Sequence, residues 1–330
     1  MTFRFAAALA FAAALALAAA PAPVAAQTAA PPQDYPTRTI KLVVPFAAGS
    51  ATDTLARVLG QEIGTAQGWS VMVENIAGAS GILAAQNVAR APADGYTVLI
   101  TTNTTHAANQ NLFKKLPYDP VADFEPVTKL GTVPLALALH PSVPAGSVAE
   151  LVAWTKANPG KLSFGSGSTS ARMAGEMMKS LGGFDMLHVP YKSNPLAMTD
   201  LLGGQISLMF ADITTTLPQI QAGKVKGLAV SSAQRSRFAP DLPTMAEAGM
   251  AGYDLVAWFG AFVPAKTPPA VVAALNRALG AALAGKAAQE ALFKAGIEPE
   301  SGTPEALAGL VASETAKWAG LVKAAGIQPE

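Results

Sequence analysis

Three short stretches of the 330-residue chain combine glycines, hydroxyls and small side chains in a pattern that suits an anion: Ala47–Asp53 (AAGSATD), Gly78–Gly81 (GASG) and Gly165–Ser170 (GSGSTS). Each follows an apolar run and opens an amphipathic one, the order of a strand, a tight loop and a helix. A helix N-terminus presents N–H groups that the helix itself does not use, and the positive end of its dipole. A carboxylate can be held there without a cationic side chain. Any one of these loops reads equally well as a turn with a helix cap. Three together point to a crevice outside the carboxyl ends of strands, where open α/β sheets bind ligands. Asp53 sits where the first helix begins, and its default role is to cap that helix. Arg172 follows GSGSTS, where a cation gains nothing from the helix dipole; an anionic partner or a solvent-facing position accounts for it equally well.

Other chemistry is sparse. The chain has no cysteine, no H-E-x-x-H, no G-x-S-x-G and no G-x-x-x-x-G-K-[ST]; GSGSTS lacks the third glycine of a dinucleotide loop. No cofactor and no metal are expected. Of three histidines, His188 falls in a predicted strand and His140 beside Pro141 at the surface, while His106, just past the hydroxyl-rich TTNTT, is the best placed for a site. Met173, Met177 and Met178 at helical spacing, with Trp258 and Phe259, read as core or hinge packing. An exported enzyme acting on a small acid, with Asp53 or His106 as base, is the rival to a binding protein, because a fold alone does not settle function.

The chain carries an address. Arg4, a small apolar run from Phe5 to Ala20, the Pro21-Ala22-Pro23 breaker and Val24-Ala25-Ala26 follow the plan of a secretory signal peptide cleaved after about Ala26. The run falls short of the ~20 apolar residues of a spanning helix. Without cysteine the mature protein has no lipid-attachment residue, and a periplasmic, freely diffusing molecule is expected. A net charge of +1 with 14% charged residues gives no case for nucleic acid or an anionic membrane.

These loops need a scaffold. After a polar leader (27–36), strands are predicted at Ile40–Phe46, Ser70–Ala77 and Tyr96–Thr102 with helices between them, which requires parallel crossovers. The segment Lys114–Glu125 reads as a surface connection leading to a strand at Thr132–Leu139. A second series repeats the plan: helix Val148–Ala157 capped by Ser147, strand Leu162–Phe164, helix Ala171–Leu181, strand Met186–Val189, helix Pro195–Leu202, strand Ile206–Phe210, helix Thr216–Ala222 and strand Lys226–Val230. A short helix at Met245–Ala248, a strand-like run Tyr253–Pro264 and three helices beginning near Thr267, Lys286 and Thr303 close the chain. The expectation is an α/β protein of two mainly parallel domains: 37–135 plus 256–330, and 136–255, hinged near residues 135 and 256.

In order and spacing, the segments YPTRTIKLVVPFAAGSATD, ENIAGASG, DGYTVLITTNT, YDPVADFEPV, KLSFGSGS, HVPYKSNPLAMTDLLGGQISLMFAD, DLPTMAEAG and ETAKWAGLVKAAGI resemble the substrate-binding proteins of tripartite tricarboxylate transporters, the Bug family of periplasmic receptors. The resemblance covers essentially all the mature chain. It implies a two-domain Venus-flytrap fold of type II-like plan, closing on an organic anion and presenting it to a membrane permease, without catalysis and as a monomer; a receptor for a signalling partner is the alternative. Carried over residue by residue, it implies a ligand site of Phe46, Ala48, Gly49, Ser50, Thr52 and Asp53; Gly78 and Ser80; Thr102, Asn103 and Thr104; Ser166, Ser168 and Ser170; and Tyr191 and Asp212. Two departures stand out: Gly49-Ser50 where the family commonly has Gly-Gly, and Arg172 where it often has His. The second would add an ion pair to one end of a dicarboxylate.

Overall fold

The computed structural model describes residues 35–329; the signal peptide and all but the last two residues of the leader lie outside them. Alternation of short β-branched runs with amphipathic segments gives, in chain order, β1 (Ile40–Val44), α1 (Ala51–Gln67), β2 (Val71–Asn75), a 3₁₀ turn (Ala79–Gly81) into α2 (Ile82–Ala89), and β3 (Thr97–Thr102). A π-helical turn (Thr104–Ala108) runs into the one-turn α3 (Asn109–Leu112), and the long β4 (Phe124–Leu139) follows. The second series is α4 (Val148–Ala157), β5 (Ser163–Ser166), α5 (Thr169–Gly182), β6 (Leu187–Pro190), α6 (Asn194–Leu202), β7 (Leu208–Asp212), α7 (Ile213–Gln221) and β8 (Lys226–Val230). The chain ends with β9 (Val256–Pro264), α8 (Pro269–Ala284), α9 (Lys286–Lys294), β10 (Glu298–Pro299) and α10 (Pro304–Ala324).

The strands form a path β2-β1-β3-β9-β4-β7-β5-β6, with β8 and β10 also paired to β4. β1 pairs in parallel with β2 and β3, and β5 in parallel with β6 and β7. Each triplet is then extended by an antiparallel strand, β9 beside β3 and β4 beside β7. The two halves therefore repeat one plan and share β4. Its residues from Phe124 to Pro134 pair with β9, and those from Leu135 to Leu139 pair with β7 and β8. Ser231, fully buried, ties this switch to the return of the chain: its hydroxyl accepts from the Leu135 amide (3.1 Å) and donates to the Leu255 carbonyl (2.6 Å).

Burial follows the periodicities that predict the elements. α1 turns Leu55, Ala56, Leu59 and Ile63 inward, and α5 buries Met173, Ala174, Met177 and Met178. Trp258 and Phe259 are core residues. Four expectations need correction. β4 begins at Phe124, eight residues before the predicted strand; register shifts at Pro126/Thr128 and Lys129/Gly131 absorb the proline and the glycine that disguise it as a connection. Met245–Ala248 is a single hydrogen-bonded turn, not a helix, its ends fixed by Met245 N–H to Val230 O and Ala248 N–H to Thr244 O. α7 starts at Ile213, because Asp212 caps it. Cap assignment in α1 also changes: Ser50 is the N-cap, its hydroxyl accepting from Asp53 N–H at 3.2 Å, so Asp53 is not.

Candidate functional site

Two helices begin in the same way on opposite halves. Ser50 caps α1 and Ser168 caps α5, each with its hydroxyl accepting from the third amide of its helix, Asp53 N–H and Ala171 N–H, both at 3.2 Å. A helix leaves its first amides unused, so those of Ala51 and Thr52, and of Thr169 and Ser170, remain for a ligand. The two N-termini border a single narrow cavity of about 30 Å³. Ser50, Ala51, Thr52, Phe46 and Thr102 line it from the first half, and Gly167, Ser168, Ser170, Asn194 and Asp212 from the second. Val133 and Leu135 of β4 and Ala257 and Phe259 of β9 close its back. No lysine, arginine or histidine lines it, so negative charge would meet N–H dipoles and hydroxyls against apolar walls, beside one carboxylate, Asp212, that already accepts from Asn194 and Thr215.

A network behind the first loop fixes its shape. The Asp53 carboxylate accepts from Gly49 N–H (2.9 Å), Arg57 Nε (3.0 Å) and Asn75 Nδ2 (2.9 Å), and Asn75 Nδ2 also donates to Phe46 O (2.9 Å). Burial opposes the charged carboxylate, but the hydrogen bonds from Arg57, Gly49 and Asn75 outweigh it and hold Asp53 below the usual carboxylate range. A carboxylate so engaged is poorly suited to act as a base. The second half has an equivalent brace: Asn194 Oδ1 accepts from Gly167 N–H (2.9 Å), and its Nδ2 donates to Asp212 (2.8 Å). Asp212 in turn accepts from Thr215 N–H (3.1 Å) and Thr215 Oγ1 (2.6 Å). Only glycine fits at 167, since a Cβ there would lie 1.8 Å from Ser193 C.

His106 does not reach the cavity. It is fully buried, stacked on Phe262 at 3.6 Å with Phe124 edge-on at 4.7 Å, and its Nδ1 lies 2.9 Å from Thr105 Oγ1. Burial pushes its pKa down to about 3. His188 sits in an adjoining cavity of about 150 Å³, with its Nε2 2.7 Å from Ser166 Oγ. His140 lies at the end of β4, 2.7 Å from Ser142 Oγ.

Of the residues expected in the site, Phe46, Ser50, Thr52, Thr102, Ser168, Ser170 and Asp212 line the central cavity. Ser80, Ser166, Arg172 and Tyr191 line the adjoining one, on the other side of Gly167–Ser168. Tyr191 directs its hydroxyl to Asp200 (2.7 Å). Ala48, Gly49, Asp53, Gly78, Asn103 and Thr104 line neither. Ala48 and Gly49 are exposed in the loop before α1, Gly78 is buried ahead of the 3₁₀ turn, and Asn103 and Thr104 are buried behind β3. Sequence reading misses Asn75 and Asn194, single side chains in ordinary contexts; the one available signal is Ser193-Asn194-Pro195, a helix start of the kind that already marks the other loops.

Two α/β halves joined by shared strands, with helix N-termini facing one another across a cavity at the joint, define a periplasmic-binding-protein fold. The family model described as the tripartite tricarboxylate transporter family receptor matches residues 55–327, and the chain belongs to that family. Among solved structures it is similar to Rpa4515 of R. palustris with adipate (36% identity, 90% of this chain and 100% of that one, TM-score 0.87). It is similar to the periplasmic binding protein BugD (37%, 90% and 100%, TM-score 0.86). It also resembles MatC of Rhodopseudomonas palustris with bound malate (33%, 87% and 100%, TM-score 0.83). Among the described residues no helix is long and apolar enough to cross a membrane, and no cluster of side chains is placed to hold a metal ion.

Proposed function

We propose that this chain is a periplasmic receptor that closes on a small organic carboxylate and hands it to the permease subunits of a tripartite transporter. The observation that carries the reading is the pair of serine-capped N-termini, α1 and α5, opening from different halves into one cavity without a cationic side chain. One carboxylate fits that donor set: each oxygen has two lone pairs to offer amides and hydroxyls. Bound adipate and malate in two similar structures support the ligand class. The lobes are read as 37–135 with 256–330, and 136–255, moving about the β4 switch near 135 and the chain return near 256. Export by the N-terminal signal and action as a monomer complete the reading. Asp53, engaged by three donors, and His106, buried among phenylalanines, are the bases named for the enzyme alternative, and neither lines the cavity.

Thermal-shift titration with adipate, malate, citrate and benzoate, with phosphate as control, tests this. At a hundredfold excess over Kd an acid should stabilise the fold by about 2.7 kcal/mol. No shift with any organic acid, or an equal shift with phosphate, would count against it. Arg172 lines the adjoining cavity, which shares Gly167 and Ser168 with the central one, and we read it as the partner of the far end of a diacid. Arg172→Ala should therefore weaken adipate or malate at least tenfold while leaving benzoate within about twofold, as expected for a charge-assisted bond worth about 1.5–3 kcal/mol. Equal losses for diacid and monoacid would remove Arg172 from recognition.

A further inference from the structure

Beside the cavity, two buried hydrogen bonds cross between the halves. Ser170 Oγ donates to Asn103 Oδ1 (3.1 Å), and Thr169 Oγ1 donates to Asn109 Oδ1 (3.2 Å). Asn103 and Asn109 flank the π-helical turn after β3, whereas Thr169 and Ser170 are the first residues of α5. All four side chains are buried, and neither asparagine lines the cavity. Among other polar ties between the halves, Leu135 N–H to Ser231 Oγ is buried at the chain crossing itself, whereas the ion pair Arg237–Glu298 and the Ser180–Ala324 contact are exposed.

The mounting of the two asparagines is rigid. Thr101 and Thr105 hydroxyls meet at 2.8 Å across the turn, Tyr118 OH donates to Thr105 O (2.9 Å), and His106 is held between Phe124 and Phe262. Asn109 Nδ2 also donates to Ser80 O (3.0 Å), which ties the turn to the second glycine-rich loop. π-Helical turns are rare and are found often at functional sites. Burying a run of polar residues in an otherwise apolar lobe is costly unless the groups are used; Asn103 Oδ1 and Asn109 Oδ1 are used towards the other lobe, whereas Asn103 Nδ2, Thr104 Oγ1 and His106 Nε2 are buried without a hydrogen-bond partner.

We propose that Asn103 and Asn109 form a latch that draws the two lobes together and so sets how tightly an acid is held, without touching it. The proposal rests on the reading above that the lobes close on a ligand. Both bonds must break when α5 moves away from the turn, so they stabilise the closed form alone. Each would tighten binding about three- to tenfold, mostly by slowing release. Asn103 and Asn109 are thus positioning residues for closure.

The cysteine-free chain allows a direct test. Spin labels at Met72→Cys and Leu187→Cys, exposed sites on the edge strands β2 and β6, report the separation of the two ends of the sheet path. Thr169→Val removes one latch bond while keeping the shape of the side chain, and Asn103→Ala removes the other. In the mature protein, without any acid and across an adipate titration, both variants should lower the share of the conformer whose separation matches this structure. Adipate should also leave the double variant about tenfold or more faster than the parent. Identical distance distributions in parent and variants at every adipate concentration, including none, would overturn the latch. A distribution that adipate and malate leave unchanged, with the variant shift still present in their absence, would overturn the carboxylate reading and leave the latch standing.

Discussion

At the scale of single residues, two buried ionisable groups divide the acid range between them. His106 is held neutral by burial with a pKa of about 3, against an ordinary value of 6.5. The unfolded chain therefore binds a proton that the native state refuses, and stability falls as pH drops from about 6.5 towards 3. His106→Phe, which keeps an aromatic ring against Phe262, should flatten that slope in denaturant titrations; an unchanged slope between pH 4 and 6.5 would show that the imidazole is not the source. Asp53 has the opposite charge and the opposite shift. Its carboxylate is held below its ordinary range, so its contribution is present at neutral pH and disappears only as pH falls through that lowered value. Asp53→Ala strips the acceptor from Gly49 N–H, Arg57 and Asn75 together, and should cost about 1–3 kcal/mol at pH 7. Because the same bonds shape the loop before α1, acid binding should weaken as well. Calorimetry on one sample reads both, and a stable variant with intact affinity would mean that the loop holds its shape unaided.

At the scale of elements, the site is made by helix starts, and these are the part of it most open to sequence reading. Glycine, serine and threonine mark a loop and a cap for steric and hydrogen-bonding reasons that are local, so AAGSATD and GSGSTS point to α1 and α5 without any knowledge of what faces them. What braces the loops is not local. Asn194 meets Gly167 from 27 residues away, Asn75 meets Phe46 from 29, and the asparagine amides carry no periodicity to betray them. The strand Phe124–Pro134 is hidden for a related reason, since its irregular register tolerates proline and glycine within a tract that otherwise reads as a connection. Asp53 is misassigned as a cap because the helix already starts three residues earlier, at Ser50, whose hydroxyl accepts from the Asp53 amide. Gly167 gives the sharpest test of the brace. Its added Cβ would meet the backbone of Ser193, not a side chain that could rotate away. Gly167→Ala should thus push α6 from the loop, destabilise by about 1–3 kcal/mol and weaken any acid held at α5. Wild-type affinity in a folded variant would place the ligand elsewhere.

At the scale of the whole molecule, a receptor that opens and closes must keep its two halves whole while their relation changes. Here the halves are not separately complete. β4 is a sheet partner of β9 on one side of Pro134 and of β7 and β8 on the other, and the buried apolar cluster runs without a break from β1 through β4 to α5 and α10. Removing either half would leave part of β4 with unpaired backbone and exposed apolar side chains, a cost that couples the two unfolding reactions. Ser231 strengthens that coupling at the joint itself. It receives the Leu135 amide and donates to the Leu255 carbonyl, so both passages of the chain between halves are tied to one buried hydroxyl. The molecule should consequently unfold in one calorimetric transition with equal calorimetric and van't Hoff enthalpies. Ser231→Ala, which leaves the Leu135 amide without its acceptor, should lower the midpoint by about 1–3 kcal/mol of stability. If the coupling runs through the apolar cluster and β4 rather than through the hydroxyl alone, the variant will still melt in one step. Two resolved peaks in the parent protein would mean that each half is stable by itself, and the hinge would then be a linker between domains instead of a strand they share.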